Sequence, residues 1–414
     1  MNKKIQVIIL IFLSISFFGK TQNLQVETIV DLNASGGVTF GPDGNIYVSD
    51  FGPALGTTSV NTKVYKVEYG TWEVSEFAAG FSGASGARFD SQGNFYQANP
   101  SGGRVSKVTL DGNVNLNWAI MSGGPIGVTS DSDDNLYVCI HGNNSIQKIT
   151  PSGTVTTFAS SNLLNCPNGI TTAPDGNFYV CNFNDGSILK IDSNGSVSLL
   201  ATMPFFAAGN GHITYSNGFL FVATIGTGQI WKLSLAGDSE LIAGVSQGFS
   251  NDDGASLQAT FSKPNGIAAS ITGDTLWVNC SVPTWISNNL ALHPGRLRMI
   301  TGVCSLPDVD CDINTKTKEV IDPFENEFIK LFSPTPNPAK SEVKLSYQIH
   351  STSQKITLKI LDASQKVILN LNEGRKNQGK YSIQIDTKEW SSGIYFSILK
   401  TEDAILTQRI VIVK

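Results

Sequence analysis

A short segment that recurs six times between residues 37 and 278 constrains the fold more than any other feature of the sequence. Each copy has two apolar strands joined by a tight turn, in several copies Asp-Gly, which is among the strongest short-range signals for a β-hairpin. A period of about 40 residues is typical of propellers and solenoids. The copies are 37–48, 86–96, 127–138, 169–180, 212–222 and 266–278.

Two further strands follow most copies, each with alternating polar and apolar residues. The third strands are 63–67, 104–108, 145–149, 187–191, 229–233 and 296–300. The fourth strands are 72–77, 113–118, 154–158, 196–200 and 239–242, and the sixth copy has none. Residues 25–30 resemble the fourth strands, so they can complete the last sheet and close a ring. We therefore predict an all-β fold in which residues 24–302 form a six-bladed β-propeller.

Composition narrows the classes of partner. The 414 residues include 40 Gly without a Gly-X-Y period, which excludes collagen and favours a turn-rich β architecture. The formal charge of −5 comes from 29 basic and 34 acidic residues and provides no basic surface. We therefore expect no nucleic-acid partner.

The first residues have the pattern of an export signal. Lys3 and Lys4 precede an apolar run over residues 5–18, which is shorter than the roughly 20 residues that span a bilayer. We predict a signal peptide over residues 1–22, and no later segment is apolar enough to span. The mature protein is expected to be secreted or held at the outer-membrane surface, without a transmembrane span.

The six cysteines all lie in the predicted mature part, where an oxidising compartment permits disulfides. Cys304 and Cys311 bracket a short segment and are the favoured local pair. The other pairings stay open.

A second domain follows the repeats. Residues 303–330 have the polar composition of a linker. Residues 331–414 then contain alternating strands that are expected to form a small β-sandwich. These strands are 343–348, 355–361, 366–371, 380–385, 393–399 and 408–413.

The sequence 253–268, with its Asp-Gly-Ala and Lys-Pro-Asn-Gly-Ile segments, resembles an NHL repeat. The whole propeller is similar to the NHL group and to the gluconolactonase/regucalcin-like six-bladed propellers. The resemblance implies the same fold as the periodicity. It also implies that one mouth of the central channel offers Glu, Asn and Asp to a divalent cation, as in the metal-dependent lactonases.

The C-terminal domain carries a recognisable set of motif residues. They are Pro336, Asn337, Pro338, Gly393, Tyr395 and Lys414. On these residues the domain resembles the type A sorting domain of proteins exported by the type IX secretion system. This resemblance implies that the export machinery is a partner and recognises the domain. An ordinary adhesive β-sandwich is the alternative.

Six positions just before the inner strands are expected to surround the channel mouth. Among them only Asn168 and Asn265 match the lactonase ligand types, and none is a carboxylate. Hard cations prefer several oxygens that include carboxylates, so we expect no bound metal, with Ca²⁺ or another divalent cation as the alternative. The six positions are Gly36, Ser85, Ile126, Asn168, Gly211 and Asn265.

Neighbouring polar residues are candidates for binding a ligand at the same mouth. Asp50 and Asn182 follow second strands, although Asp and Asn there also form turns. His212 and nearby Asn210 begin the fifth inner strand, and His141 follows a second strand of the third copy. Either imidazole is a candidate general base or ligand contact; the alternative is that His212 fills space left by the neighbouring glycines.

These observations favour a non-catalytic, secreted propeller that binds an extracellular protein or glycan. One alternative is a divalent-metal-dependent lactonase or hydrolase of the gluconolactonase-like group. Another is an enzyme similar to the streptogramin lyases, with His212 or His141 as base. His293 and His350 are predicted to be surface residues.

Overall fold

The computed structural model describes residues 24–54, 58–204, 209–270, 272–282, 291–306, 309, 329–332, 334–350, 354–362, 367–401 and 405–413. These residues form strands, turns and three single-turn 3₁₀ helices: Pro100–Gly102, His141–Asn143 and Val303–Ser305. The predicted signal peptide and Lys414 lie outside them. In the described part of the chain, no helix has the length and apolar character needed to cross a membrane.

The described part of the chain begins with strand β1 (Gln25–Leu32), and five consecutive four-stranded antiparallel sheets follow. Within each sheet the strands lie in chain order. The first two sheets contain β2 (Val38–Phe40), β3 (Ile46–Ser49), β4 (Thr62–Val67), β5 (Val74–Phe81), β6 (Ala87–Phe89), β7 (Phe95–Asn99), β8 (Arg104–Val108) and β9 (Val114–Ile120). The next three contain β10 (Pro125–Ser130), β11 (Leu136–Ile140), β12 (Ser145–Ile149), β13 (Val155–Ser160), β14 (Pro167–Thr172), β15 (Phe178–Asn182), β16 (Ser187–Ile191), β17 (Val197–Thr202), β18 (Asn210–Ser216), β19 (Phe219–Thr224), β20 (Gln229–Ser234) and β21 (Ser239–Ala243).

The sixth sheet joins the two ends of the repeat region. Its order is β22-β1-β25-β24-β23, where β22 is Gly254–Ala255, β23 Ile267–Ala269, β24 Thr275–Ser281 and β25 Gly295–Thr301. Strand β1 pairs with β25 from Gln25 opposite Thr301 to Leu32 opposite Gly295. The first strand therefore lies beside the third strand of the last copy, where the sequence predicts it.

The innermost strands stand next to one another in a closed cycle. Strands β2, β6, β10, β14, β18 and β23 each contact the next, and β23 contacts β2. Glycine permits this approach: a Cβ built on Gly127 would lie 2.3 Å from the carbonyl oxygen of Asn168. We call the side where the inner strands begin and the second strands end the upper edge. The opposite side, with the hairpin turns, is the lower edge.

Apolar side chains fill the space between neighbouring sheets. Val38 and Val48 of the first sheet share one core with Trp277 and Leu297 of the sixth. The ring of Trp277 stacks on Phe40 with centroids 5.1 Å apart. Each sheet is covered on both faces, which explains the almost wholly buried second strands.

Aspartates organise four of the hairpin turns at the lower edge. In the first turn, Asp43 accepts hydrogen bonds from the side chain of Asn45 and the hydroxyl of Tyr47. Asp90, Asp131 and Asp175 make the same pair of contacts. The recurring Asp, Asn and Tyr of the repeat are therefore structural residues.

Residues at both ends of the predicted linker 303–330 belong to folded parts of the structure. Val303, Leu306 and Val309 are buried in the core of the fifth and sixth sheets, because their apolar side chains cover the outer end of that core. Ile329–Leu331 forms strand β26 of the following domain. Cys304 is disulfide-bonded, and Cys311, its predicted partner, lies outside the described residues.

The C-terminal domain consists of two antiparallel sheets that share one hydrophobic core. One has the order β26-β27-β30, with β27 at Glu342–Ile349 and β30 at Gly379–Asp386. The other has the order β29-β28-β31-β32. Its strands are β28 (Gln354–Asp362), β29 (Val367–Lys376), β31 (Gly393–Lys400) and β32 (Ile405–Ile412).

Candidate functional site

A histidine and an aspartate from the two ends of the repeat region pair at the upper edge. His293 Nε2 lies 2.8 Å from Asp50 Oδ1, which also accepts the backbone N–H of Gly52 at 2.8 Å. The side chains keep 20% and 12% of their exposure. Asp50 therefore accepts the backbone hydrogen bond expected of an aspartate in a turn, and it also has a specific side-chain partner in His293. His293 is only partly exposed, because residues 291–293 pack against residues 50–54.

Backbone contacts hold this pair in place. The N–H of Leu292 donates to the carbonyl oxygen of Pro53 at 2.8 Å, and Ala291 forms a bridge with Ala54. Lys263, buried beneath them, donates from Nζ to the carbonyl oxygen of Ala291 at 2.7 Å. These contacts fix residues 291–293 to Pro53 and Ala54 beside the pair.

A second pair lies on the other side of the upper edge, between the third and fourth sheets. His141 Nδ1 is 2.9 Å from Cys166 Sγ. Burial, assisted by Asp185, raises the pKa of the Cys166 thiol to about 11, and burial lowers the pKa of His141. At neutral pH the pair is therefore a neutral thiol that donates to a neutral imidazole, not the thiolate that attacks substrates in cysteine enzymes.

Asp185 organises the loops beside this second pair. Its carboxylate accepts the side-chain amide of Asn165 at 3.1 Å and that of Asn182 at 3.4 Å. It also accepts the backbone N–H of Ser187 at 2.9 Å. Asn182 is fully buried, so this predicted contact residue supports the loops and does not face solvent.

The asparagines predicted around the channel mouth donate hydrogen bonds to backbone carbonyl oxygens of neighbouring parts of the ring. The Asn168 amide donates to the carbonyl oxygens of Asn210 and Gly211 at 3.0 and 2.9 Å. Asn265 donates to Ser35 in the first sheet at 2.7 Å. Asn210 donates to the carbonyl oxygens of Asn182 and Ser187. These amides link adjacent sheets.

His212 lies inside the channel. Its imidazole is buried, and burial lowers its pKa to about 4, so it is neutral at physiological pH. A Cβ built on Gly86 would lie 3.0 Å from His212 Cε1, which places the ring against the backbone of the second sheet. The structure brings His212 together with neither His141 nor Asp50.

Among the described residues, no group of three or more His, Cys, Asp or Glu side chains is arranged to hold a metal ion. The candidate ligands Asn168 and Asn265 direct their amide N–H groups to backbone oxygens of different sheets.

The residues of the predicted sorting motif tie the start of the C-terminal domain to its last strand. Asn337 Oδ1 accepts the N–H of Val411 at 2.7 Å, and Ala339 bridges Ile412 in parallel. The hydroxyl of Tyr395 donates to the carbonyl oxygen of Ser391 at 3.0 Å. The motif thus helps to close the domain.

Two features of the upper edge are missed by sequence reasoning. The His293–Asp50 pair joins residues 243 positions apart, and the Cys166–His141 pair joins residues from different sheets. No local pattern signals either contact. Lys263 offers one weak signal of a polar contact at this edge, because it is a charged residue two positions before Asn265, a predicted channel position.

The fold and the C-terminal domain together define a β-propeller with a secretion tail. Residues 335–413 match the secretion system C-terminal sorting domain, a type IX tail that indicates a secreted or cell-surface location. Residues 21–243 match the model of the virginiamycin B lyase family. The chain belongs to that family. The segment that resembles an NHL repeat lies beyond the matched residues, and that resemblance stays a prediction.

Solved structures with the same fold include a streptogramin B lyase, with a TM-score of 0.50 and 17% identity over 67% of this chain and 98% of that chain. An auxiliary nutrient binding protein from Bacteroides ovatus has a TM-score of 0.54 and 13% identity over 68% and 77%. A gluconolactonase from Xanthomonas campestris has a TM-score of 0.49 and 12% identity over 67% and 89%. At these identities the likeness to the streptogramin B lyase and to the nutrient binding protein concerns the fold alone. No curated protein matches the chain.

Proposed function

We propose that the protein is an exported six-bladed propeller that binds an extracellular protein or glycan at its upper edge. The six sheets are its blades, and the two C-terminal sheets are the sandwich addressed by the export machinery. The observation that carries the binding site is the pair of His293 and Asp50 across the junction of the first and sixth sheets.

Three features suit this pair to ligand binding. Asp50 holds His293 through Nε2, so the ring orientation is set before a ligand arrives. No described residue bonds Nδ1, and the side chain keeps part of its exposure. Loops carried on a rigid scaffold are where proteins usually bind ligands. The ligand would thus meet an oriented imidazole within a surface held by backbone hydrogen bonds.

A glycan array probed with the full chain tests this function. We expect the wild-type protein to bind a restricted set of glycans and His293→Ala to lose at least tenfold in affinity. His350→Ala, which changes an exposed histidine of the C-terminal domain, is the matched control. Array binding that survives in His293→Ala and Asp50→Asn alike would contradict the assignment.

A second candidate function is an elimination reaction, because the matched family is named after a lyase and lyases break bonds by elimination. A general base is more effective when another group orients it, and Asp50 does so for His293. In this version His293 takes a proton from a substrate carbon, the electron pair of that C–H bond forms a C=C double bond, and the bond between the neighbouring carbon and its leaving group breaks. Virginiamycin B is the substrate to test first, since the family model carries that name.

Turnover of virginiamycin B by the full chain, followed by mass spectrometry of the opened product, decides between the two. Turnover that falls at least a hundredfold in His293→Ala supports the lyase. Glycan binding without any such turnover supports the binding propeller.

A further inference from the structure

The C-terminal domain lies against one hairpin turn at the lower edge of the propeller. In the turn between β6 and β7, the side-chain amide of Gln92 donates from Nε2 to the carbonyl oxygen of Ser392 at 3.0 Å. A Cβ built on Gly393 would lie 3.3 Å from the carbonyl oxygen of Ser91 and 3.5 Å from the Ser91 Cβ. Residues 91–92 of the propeller therefore contact residues 392–393, where strand β31 begins.

Two carboxylates hold the propeller's turn in shape. Asp90 accepts the backbone N–H groups of Gln92 and Asn94 at 2.9 and 2.8 Å. Asp134, from the neighbouring third sheet, accepts the N–H and the hydroxyl of Ser91 at 2.9 and 2.5 Å. Gln92 Nε2 also donates to Ser91 Oγ at 3.0 Å. The propeller alone thus orients the amide that the C-terminal domain meets.

The opposing turn of the C-terminal domain is also held by its own contacts. The hydroxyl of Tyr395 donates to the carbonyl oxygen of Ser391 at 3.0 Å, and the ring of Tyr395 lies 4.8 Å from that of Trp390. The N–H of Trp390 donates to the carbonyl oxygen of Thr387 at 3.0 Å. Two surfaces that are ordered in advance lose little conformational freedom when they meet.

This turn belongs to the predicted sorting motif. Gly393 and Tyr395 are motif residues, and both are buried in the full chain. The other half of the motif lies beside them, because Asn337 Oδ1 accepts the N–H of Val411, and Val411 pairs with Ile394. The two halves of the motif are therefore neighbours, and the half with Gly393 lies against the propeller.

The propeller covers Gly393. Apart from its chain neighbours, the three heavy atoms nearest to a Cβ built there all belong to Ser91. Tyr395 and Ser91 line a cavity of about 370 Å³ between the two domains. Phe396, the next residue, lines the lower end of the central channel. A partner that binds the C-terminal domain at Gly393 would therefore meet the propeller first.

The contact between the domains is suited to reversible docking. A cavity of about 370 Å³ has room for several water molecules, so the two surfaces are not closely packed. The hydrogen bond from Gln92 to Ser392 joins neutral groups, and its net gain over bonds to water is modest. Interfaces between domains of one chain resemble transient protein–protein interfaces. Docked and separated forms can thus exchange.

We propose that the turn of Ser91 and Gln92 is a docking surface for the chain's own sorting domain, and that docking covers the Gly393–Tyr395 half of the sorting motif until the domains separate. This inference rests on the part of the proposed function in which the export machinery addresses the sandwich. A chain held in the docked form cannot present the whole motif. Separation of the domains therefore precedes recognition.

Disulfide trapping in the full chain tests the docking. In the double variant Ser91→Cys with Gly393→Cys, the two Cβ atoms would lie 3.5 Å apart, within the range of a disulfide. We expect mild oxidation to link them, which mass spectrometry of the joined peptides detects. Adding Gln92→Glu, which sets a carboxylate against the carbonyl oxygen of Ser392, should slow the linking at least tenfold. Gln258→Glu, the same change at another exposed glutamine of the propeller, should leave the rate unchanged.

Two results of the trapping experiment would overturn the docking surface. One is the absence of linking in a double variant that melts at the wild-type temperature. The other is a linking rate that Gln92→Glu leaves unchanged.

Pulse–chase export from cells that have a type IX secretion system tests the covering of the motif. We expect the linked double variant to stay inside the cells, while the wild type and the single variants Ser91→Cys and Gly393→Cys are exported. Linked protein that is exported as fast as the single variants would overturn the covering.

Gln92→Glu serves as the second variant, because it leaves the motif unchanged if Gly393→Cys alone blocks export. It should be exported at least twofold faster than the wild type, and an equal rate would overturn the covering. A wild-type chain that is not exported would contradict the exported state in the proposed function and the covering with it, whereas the trapping result decides the docking by itself.

Discussion

The imidazole of His212, in the fifth sheet, packs against Gly86 of the second sheet, so that a Cβ on Gly86 would lie 3.0 Å from His212 Cε1. The histidine spans the channel between two sheets that stand on opposite sides of the ring. It separates the upper edge, which carries the His293–Asp50 and His141–Cys166 pairs, from a cavity at the lower edge that faces the C-terminal domain.

Gly86→Ala should destabilise the propeller by about 1–3 kcal/mol, the usual cost of overpacking a core. The new methyl would lie 2.6 Å from the carbonyl oxygen of Ile126 and 2.9 Å from Gly127 Cα, and backbone atoms cannot rotate away. Urea denaturation measures the loss. Gly176→Ala is the control, since its Cβ would meet open space and only its positive φ of 79° opposes it; a larger loss there would refute the argument.

The buried imidazole of His212 should make stability depend on pH. Its folded pKa of about 4 lies below the ordinary histidine value of 6.5, so the unfolded chain binds more protons between these values. Stability therefore falls as the pH drops from 6.5 towards 4, by about 3 kcal/mol from this group. The check is the difference between wild type and His212→Gln in unfolding free energy across this range; parallel pH profiles would contradict it.

Arg298 should be a main stabiliser of ring closure. It is fully buried on β25, opposite Thr28 of β1, and donates to Asp253 at 2.7 Å and to the carbonyl oxygens of Thr260 and Asp252 at 2.9 Å. Arg298→Met removes all three bonds and leaves the carbonyl oxygen of Thr260 without a donor. Asp253 keeps the hydroxyl of Thr28, and the carbonyl oxygen of Asp252 keeps the N–H of Thr260. The substitution should therefore cost about 2–3 kcal/mol.

Asp253→Asn is the comparison for that variant. The Asp253 side chain is 46% exposed, so its replacement should cost only about 1 kcal/mol or less. Thermal and urea unfolding of the two variants measure the difference. A similar loss in both would mean that the charge pair, and not the backbone acceptors, supports the closure.

Cys166 should react slowly with alkylating reagents despite its position at the upper edge. A thiol pKa of about 11 leaves little thiolate at pH 8, so iodoacetamide modification should be on the order of 100-fold slower than for glutathione. The rate should rise about tenfold per pH unit between pH 7 and 9. Peptide mass mapping at timed intervals follows the modification, and a fast, pH-independent rate would contradict a neutral thiol.

Much of the propeller can be predicted from the sequence because its information is local. The Asp, Asn and Tyr residues of each hairpin bond one another within a few positions, as Asp43 does with Asn45 and Tyr47. Hydrophobic alternation then predicts the outer strands. The partnership of β1 with the last sheet could also be expected, since the sixth copy lacks a fourth strand of its own.

The candidate site was less predictable because residue type does not reveal the partner of a side chain. Asn168 and Asn265 stand at the expected positions, yet their amides bond the backbone of the next sheet. His293 was expected at the surface, and its pairing with Asp50, 243 positions away, could not be expected from either residue.

The sequence alone determines the repeated hairpins, the place of the first strand and the presence of a separate sorting domain, because each depends on periodicity or on a short motif. Only the tertiary structure decides which polar groups meet. Closing the ring brings residue 50 to residue 293 and His212 to Gly86, and docking of the C-terminal domain brings Ser392 to Gln92. Such contacts follow from the packing of whole sheets, and no spacing along the chain encodes them.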